Sequence, residues 1–396
     1  MKEFTNAEKR TWEEQSLYTR VDNLDSDELP TANIVLAGIT GTGKSTLINA
    51  IFGSKLAKTG KGKPITEHIG EYHSPEIPIR IWDTVGIELD AEKTKKSISD
   101  IKKVIAQKAL SKDQFDRIHA IWYCIHSGSN RYQGVELEFI KSLHSVGVPF
   151  LIVLTQCIGR EEEVEFEEKI NEYNASVGMT DISTVRVCAE EFKLANFVIP
   201  SFGLDYLVDA TIKKMPDYIK SGFTAAQRVN RNQKREQCEA IIYDYVRAAK
   251  NGFWDKIPLI NILCANSKIK GMLIKIGIMY NTVLKDENVD KIIKRCNIDF
   301  ENVFPALLNP FVSEYSEKVN NLLSSKKKEG FEVKIDSFSK SERVARMIAF
   351  YGYTFIDSIE EVWEKLTEKQ LQDIDMVVRE LMAIINKKLD ERRKGR

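Results

Sequence analysis

Between about residue 31 and residue 217 the chain alternates two hydrophobic rhythms. Asn33-Ile34-Val35-Leu36-Ala37, Ala120-Ile121-Trp122-Tyr123-Cys124-Ile125 and Pro149-Phe150-Leu151-Ile152-Val153-Leu154 are near-continuous apolar runs. Strands buried on both faces of a parallel sheet read this way. Ile77-Pro78-Ile79-Arg80-Ile81-Trp82-Asp83 predicts another strand, with Pro78 at its start, where a missing N–H matters least, and a carboxylate at its end. His68–Tyr72 predicts a short edge strand and Thr184–Val187 a last one. Helical spacing falls between them, over about 91–109, 133–144, 161–175 and 204–215, and Pro216 closes the unit. This alternation predicts an α/β fold with a mostly parallel sheet flanked by helices.

From about 218 the strand signal disappears. Gln227–Lys250 predicts a charged helix, and Pro258–Leu284 a more apolar one interrupted by Lys268, Lys270 and Lys275. Val344, Met347, Ile348, Tyr351, Phe355, Ile359, Val362 and Leu366 keep a helical stripe, and Leu371, Ile374, Val378, Leu381 and Ile385 another. The expected layout is an N-terminal helical segment over 1–30, an α/β domain over 31–217 and an all-α domain over 218–396. A Ser-Lys-rich loop at 324–329 interrupts the last of these, and a basic tail ends it.

Composition removes whole classes of function. Fifty-eight Lys plus Arg balance fifty-eight Asp plus Glu, so no global field favours nucleic acid or an acidic membrane. Six cysteines lie scattered without a C-x-x-C pair, and five histidines show no metal-ligand spacing. Reduced, buried thiols in a cytoplasmic protein are expected. The first residues lack an apolar signal core, and no apolar run reaches the length that spans a bilayer.

The chemistry concentrates in Gly38-Ile39-Thr40-Gly41-Thr42-Gly43-Lys44-Ser45-Thr46. This stretch fits G-x-x-x-x-G-K-[ST], the phosphate-binding P-loop, between an apolar strand and a helix start. Strand, glycine loop and helix N-terminus aim backbone N–H groups at phosphate oxygens. Lys44 is expected to reach the β- and γ-phosphates, and the Ser45 hydroxyl to bind Mg²⁺. Asp83-Thr84-Val85-Gly86 comes next, at the end of a strand. Asp83 is expected to hold the Mg²⁺ shell through water, and Gly86 to turn its amide toward a γ-phosphate. Between them Lys58–Thr66 predicts a flexible basic segment; Thr66 either reaches the metal or belongs to a solvated loop.

The order P-loop, Pro64-Ile65-Thr66, Trp82-Asp83-Thr84-Val85-Gly86 resembles the translation-factor-related GTPases, especially the Era-like bacterial GTPases. The loop wording is also similar to immunity-related and septin-type GTPases. Val187-Cys188-Ala189 resembles the Ser-Ala loop that contacts the base, and Gly203-Leu204-Asp205-Tyr206-Leu207 the entry to the final helix of Era-like domains. The helical region, with Ala226-Gln227-Arg228 near its start, is similar to a domain found after the G domain of some Era-like GTPases. The resemblance implies a G domain with GTP or GDP and Mg²⁺ as ligands. It also implies that Thr155, Gln156, Cys188 and Ala189 line the base.

Two departures qualify it. The family's base-reading motif is Asn/Thr-Lys-x-Asp, whose Asp accepts two guanine N–H bonds, and the aligned residues here are Thr155-Gln156-Cys157-Ile158. Ile158 accepts nothing, so guanine preference is weakened and ATP stays open. Glu161 or Glu162 either supplies a displaced carboxylate or simply begins the next helix. Ile87 stands where Ras-like proteins carry a water-orienting Gln, which predicts slow intrinsic turnover. Gly41 stands where potassium-stimulated relatives carry Asn, and Arg131 is either a charge-stabilising finger or an ordinary surface residue.

The expected protein is a cytoplasmic, Mg²⁺-dependent GTPase switch with slow hydrolysis, whose segments around 58–67 and 84–95 alter docking of the helical domain on a protein partner or a second copy. Two other readings stay open. One is a dynamin-like or immunity-type assembly GTPase in peripheral contact with a membrane, through apolar residues such as Phe253, Trp254, Met272 and Leu273. The same residues suit a helical-bundle core equally well. The other is a P-loop protein that binds nucleotide without turnover.

Overall fold

A computed structural model describes residues 29–53, 56, 63–66, 69–74, 77–84, 99, 101–108, 111, 113–129, 132, 135–194, 197–251, 262–282, 284–303, 339–371 and 373–394. The expected N-terminal helix, Lys58–Gly62, Gly86, Ile87, Arg131, Phe253, Trp254 and the 324–329 loop lie outside the described residues. Leu29–Lys234 forms one compact unit, and a second begins at Arg235.

The first unit is built on a seven-stranded sheet. Its strands are β1 (Ala32–Gly38), β2 (Lys63–Thr66), β3 (Ile69–Ser74), β4 (Ile77–Thr84), β5 (Ala120–His126), β6 (Phe150–Thr155) and β7 (Ser183–Arg186), in the order β2-β3-β4-β1-β5-β6-β7. From β4 to β7 every pairing is parallel, whereas β2 and β3 add antiparallel at one edge. Residues 63–66, expected as part of a flexible segment, therefore form the edge strand. Pro64 is admissible there because an edge strand leaves one side of its ladder unpaired.

Period-two alternation divides the core between the two faces of the sheet. Ile34 and Leu36 of β1, Trp122 and Cys124 of β5 and Leu151 and Val153 of β6 pack with α1 (Lys44–Phe52). The same layer holds two helices numbered further along the chain, α4 (Leu204–Lys214) and α5 (Asp217–Ala226). Val35, Ala37, Ile121, Tyr123, Ile152 and Leu154 turn to the other face, against helical residues 101–108, α2 (Val135–His144) and α3 (Glu161–Ser176). On the α1 side Phe52 stacks on Trp122 with ring centroids 6.0 Å apart, and Phe223 meets both rings edge-on. Burying each such side chain contributes about 2 to 3 kcal/mol. The one polar atom of Trp122 is satisfied too, since its Nε1–H donates to Thr211 Oγ1 at 3.0 Å.

Helix α5 begins just past Pro216, which is its N-cap, and Ile219, Phe223 and Ala226 join the α1-side core. A small hairpin, β8 (Phe192–Leu194) with β9 (Phe197–Ile199), interrupts the path from β7 to α4. Its three-residue strands are too short to leave an alternating signature in the sequence.

The second unit is helical: α6 (Arg231–Asn251), which starts at the end of the first unit, then α7 (Ile262–Met279), α8 (Asp286–Val303), α9 (Lys340–Lys365), the short α10 (Glu368–Leu371) and α11 (Ile374–Lys394). The stripe expected along α9 is buried from Val344 to Val362. Met272 and Leu273 are buried as well, which favours their bundle reading over a lipid-facing one. Lys275 is buried with its ammonium 5.8 Å from the Tyr245 ring centroid. Arg235 pairs with Asp357 at 3.0 Å and with Glu360, whose other oxygen accepts from Tyr280 at 2.7 Å. No helix among the described residues is long and apolar enough to cross a membrane.

Candidate functional site

Strand β1 delivers the glycine-rich loop to the middle of the sheet, between β4 and β5, and α1 carries it away. Gly38 has no room for a side chain: a Cβ would lie 2.4 Å from the carbonyl oxygen of Cys124, its partner on β5. Gly43 caps α1 in the left-handed region at φ 79°, which glycine adopts without steric cost. The capping position leaves the first N–H groups of α1 directed out of its N-terminus. Ser45 is exposed there and Thr46 half-buried; Thr40 and Gly41 are exposed at the loop tip.

Inside the loop the polar groups are bound to one another. Lys44 Nζ, nearly buried, donates to the carbonyl oxygens of Gly38 at 2.8 Å and Ile39 at 3.2 Å. Thr42 Oγ1 donates to the Ile39 carbonyl at 2.8 Å. The ammonium thus stays inside the curve of the loop, beside the N-terminus of α1. Backbone donors and one cation gathered at a single point suit a polyanion.

Strand β4 brings Asp83 to one flank, opposite Leu36 in the β1 register. Burial pushes the Asp83 carboxyl up to about 6, against the pull of the Lys44 charge. Its Oδ1 is buried with no hydrogen-bond partner among the described residues, and so is the Thr84 hydroxyl. Asp83 feels the Lys44 charge, and Ser45 follows Lys44 at the helix start; a buried carboxylate oxygen without a donor and an exposed serine hydroxyl are the oxygen donors that a hard divalent cation takes. Ser45 and Asp83 therefore fit Mg²⁺. Thr66 sits in β2 paired with Ile69 of β3, and Ile69 pairs in turn with Thr84.

Strands β6 and β7 close the other flank. Thr155 Oγ1 lies 2.5 Å from the Thr42 carbonyl oxygen and 3.1 Å from that of Ile125. Gln156 adopts φ 57°, and its Nε2 donates to the Gly41 carbonyl at 3.0 Å, while its own carbonyl accepts from Ser127 Oγ at 3.1 Å. Both residues are fastened to the glycine loop. The Val187 carbonyl accepts from the Cys157 N–H at 3.1 Å, which sets the loop after β7 beside the loop after β6. Cys188 exchanges two backbone hydrogen bonds with Phe202, and its thiol donates to the Glu190 carbonyl. Ala189 is next, half-buried.

Glu161 and Glu162 are exposed in the first turn of α3, where acids suit the helix dipole. The consequential carboxylate is Glu163, which the motif pattern does not single out. It is 2 % exposed and accepts from the N–H groups of Ile158 at 2.9 Å, Gly159 at 2.9 Å and Arg160 at 3.2 Å, with Arg160 Nε at 3.3 Å. A single side chain thus sets the course of the loop after β6. The signal available in the sequence is an acid at the third position of a helix, where it can reach back to the turn before it.

No curated protein matches the chain. Among solved structures, one described as a "probable GTP-binding protein engB" is 17 % identical over 46 % of this chain and 97 % of its own, with a TM-score of 0.34. The elongation factor SelB from Methanococcus maripaludis is 17 % identical over 48 % of this chain and 35 % of its own, with a TM-score of 0.32. The G domain of the T. maritima FeoB iron transporter is 14 % identical over 46 % and 98 %, with a TM-score of 0.29. Residues 33–156, from β1 to the residue after β6, match the family model of the 50S ribosome-binding GTPases. The first unit therefore contains a P-loop GTPase domain, and guanine-nucleotide binding is the property this match supports.

Proposed function

We propose that the protein is a Mg²⁺-dependent GTPase of the Era-like kind, a slow switch that hydrolyses GTP to GDP and phosphate and changes how the helical unit meets a protein partner or a second copy. The observation that carries this reading is the placement of Lys44 and Asp83. A cation at a helix N-terminus and a half-buried carboxylate, one of whose oxygens is buried without a donor among the described residues, flank the same loop. Lys44 and the amides of residues 41–46 bind the phosphates, and Lys44 leaves its two loop carbonyls to do so. Ser45, Thr66 and Asp83 hold Mg²⁺, which when bound neutralises phosphate charge. Thr155 and Gln156 keep the glycine loop in register with the flank that receives the nucleoside, next to Cys188 and Ala189. Gly86 is assigned the γ-phosphate by its position in the motif.

A multiple-turnover phosphate-release assay tests the reading. Slow GTP hydrolysis that stops on chelation of Mg²⁺ and in the Lys44→Ala variant supports it. Tight GTP binding without release of phosphate reduces the protein to a nucleotide-binding module.

A further inference from the structure

We propose that the nucleotide site does not read the purine 2-amino group, and that Ile158 is the residue that decides this. The inference rests on the nucleotide reading above and deepens it. In a parallel sheet a ligand lies outside the carboxyl ends of the strands, at the point where the strand order divides. Here that point is the glycine loop, with Asp83 of β4 on one side and the ends of β6 and β7 on the other. Phosphates on the loop with Mg²⁺ toward Asp83 send the nucleoside toward Thr155, Gln156 and the turn beyond them.

The edge of guanine that carries the 2-amino group presents two adjacent N–H donors, at N1 and at the amine. Strong recognition of such a pair needs an ionised acceptor, ideally a carboxylate that takes both. None of Thr155, Gln156, Cys157, Ile158, Cys188 and Ala189 carries a carboxylate, and Glu190 next along is exposed, with only its carbonyl engaged among the described residues, by the Cys188 thiol. Ile158 has no polar side-chain atom. The Glu163 carboxylate is close along the chain, but its oxygens already accept from Ile158 N, Gly159 N, Arg160 N and Arg160 Nε, and it is 2 % exposed. Four donors fill the lone-pair sites of one carboxylate. Glu161 and Glu162 are exposed to solvent on the first turn of α3. Gln156 is tied through Nε2 to the Gly41 carbonyl, and its neutral amide oxygen is a much weaker acceptor than a carboxylate. The turn is thus held by a buried acid, and its half-buried Ile158 side chain offers no acceptor.

GTP and ITP differ only in the 2-amino group, so their competition against a fluorescent guanine nucleotide reads the inference directly. The full chain in Mg²⁺ is expected to bind the two within about threefold of each other. Installing the missing acceptor in Ile158→Asp is expected to raise the preference for GTP over ITP by about 10- to 100-fold. A native preference for GTP above about tenfold overturns the inference while leaving the nucleotide reading intact, and so does an Ile158→Asp variant that folds and still treats the two alike. Failure of any nucleotide to bind overturns the nucleotide reading and the inference with it.

Discussion

The Thr155 hydroxyl donates to the Thr42 carbonyl oxygen at 2.5 Å, joining the end of β6 to the glycine loop across 113 positions of sequence. The contact is buried, and the Gln156 side chain repeats the tie one residue on, to the Gly41 carbonyl. The loop is therefore shaped as much by Thr155 and Gln156 as by its own glycines. Thr155→Val keeps the volume and removes the donor, leaving a buried carbonyl unpartnered at a cost of about 1 to 2 kcal/mol. Urea unfolding is expected to show this loss for Thr155→Val and most of it recovered in Thr155→Ser.

Gly38 is fixed by its neighbour on the next strand. An added Cβ would lie 2.4 Å from the Cys124 carbonyl oxygen, a backbone atom that cannot retreat without parting β1 from β5. Gly38→Ala is expected to lower the free energy of unfolding by about 3 kcal/mol or more. Differential scanning calorimetry is the check, and a melting temperature within about two degrees of native, on the order of 1 kcal/mol or less, would show that the strands yield there.

Glu163, itself buried, holds three consecutive backbone N–H groups of a turn at the surface. Glu163→Ala strands them, at about 3 kcal/mol. Amide exchange at Ile158 and Gly159 is expected to accelerate by more than exchange in β6 does. Uniform acceleration everywhere would mean that the glutamate supports the unit as a whole and not this turn.

The legible parts of the chain are those whose information is local. Residues 38–46 and the strands β1, β5 and β6 can be read directly, because loop chemistry and continuous apolar runs need no distant partner. β2 cannot, since Pro64 and the lysines around it read as a loop until β3 supplies a partner. Glu163 hides among three consecutive acids, alike in sequence to Glu161 and Glu162 and separated from them only by burial. Helix α8 carries a helical stripe, with Val289, Ile292 and Ile293 buried, although the stretch around it is highly charged. Asp83 is visible as a motif, but the buried, donorless Oδ1 that suits it to a cation is a property of the fold.

Glu136 gives the first unit a pH signature. It accepts from the buried Tyr123 hydroxyl at 3.1 Å, yet burial outweighs that bond and raises its carboxyl from 4.5 to about 7. The folded state then binds the proton more tightly than the unfolded chain. The contribution is therefore full below about pH 4.5 and lost as pH rises through about 7. Glu136→Gln removes this dependence. Chemical denaturation at about pH 5 and about pH 7.5 is expected to show a smaller fall in stability for the variant, by about 2 to 3 kcal/mol. An identical fall in both proteins would mean that the carboxyl titrates at its ordinary value.

The central claim is that the loop from Gly38 to Thr46 binds the phosphates of a guanine nucleotide through Lys44. Titration of a fluorescent GTP analogue into the native chain and into Lys44→Ala, both in Mg²⁺ and both checked for folding, tests it most directly. Loss of a charge-assisted contact is expected to weaken binding by about 10- to 100-fold or more. Equal affinity in the two proteins would contradict the account.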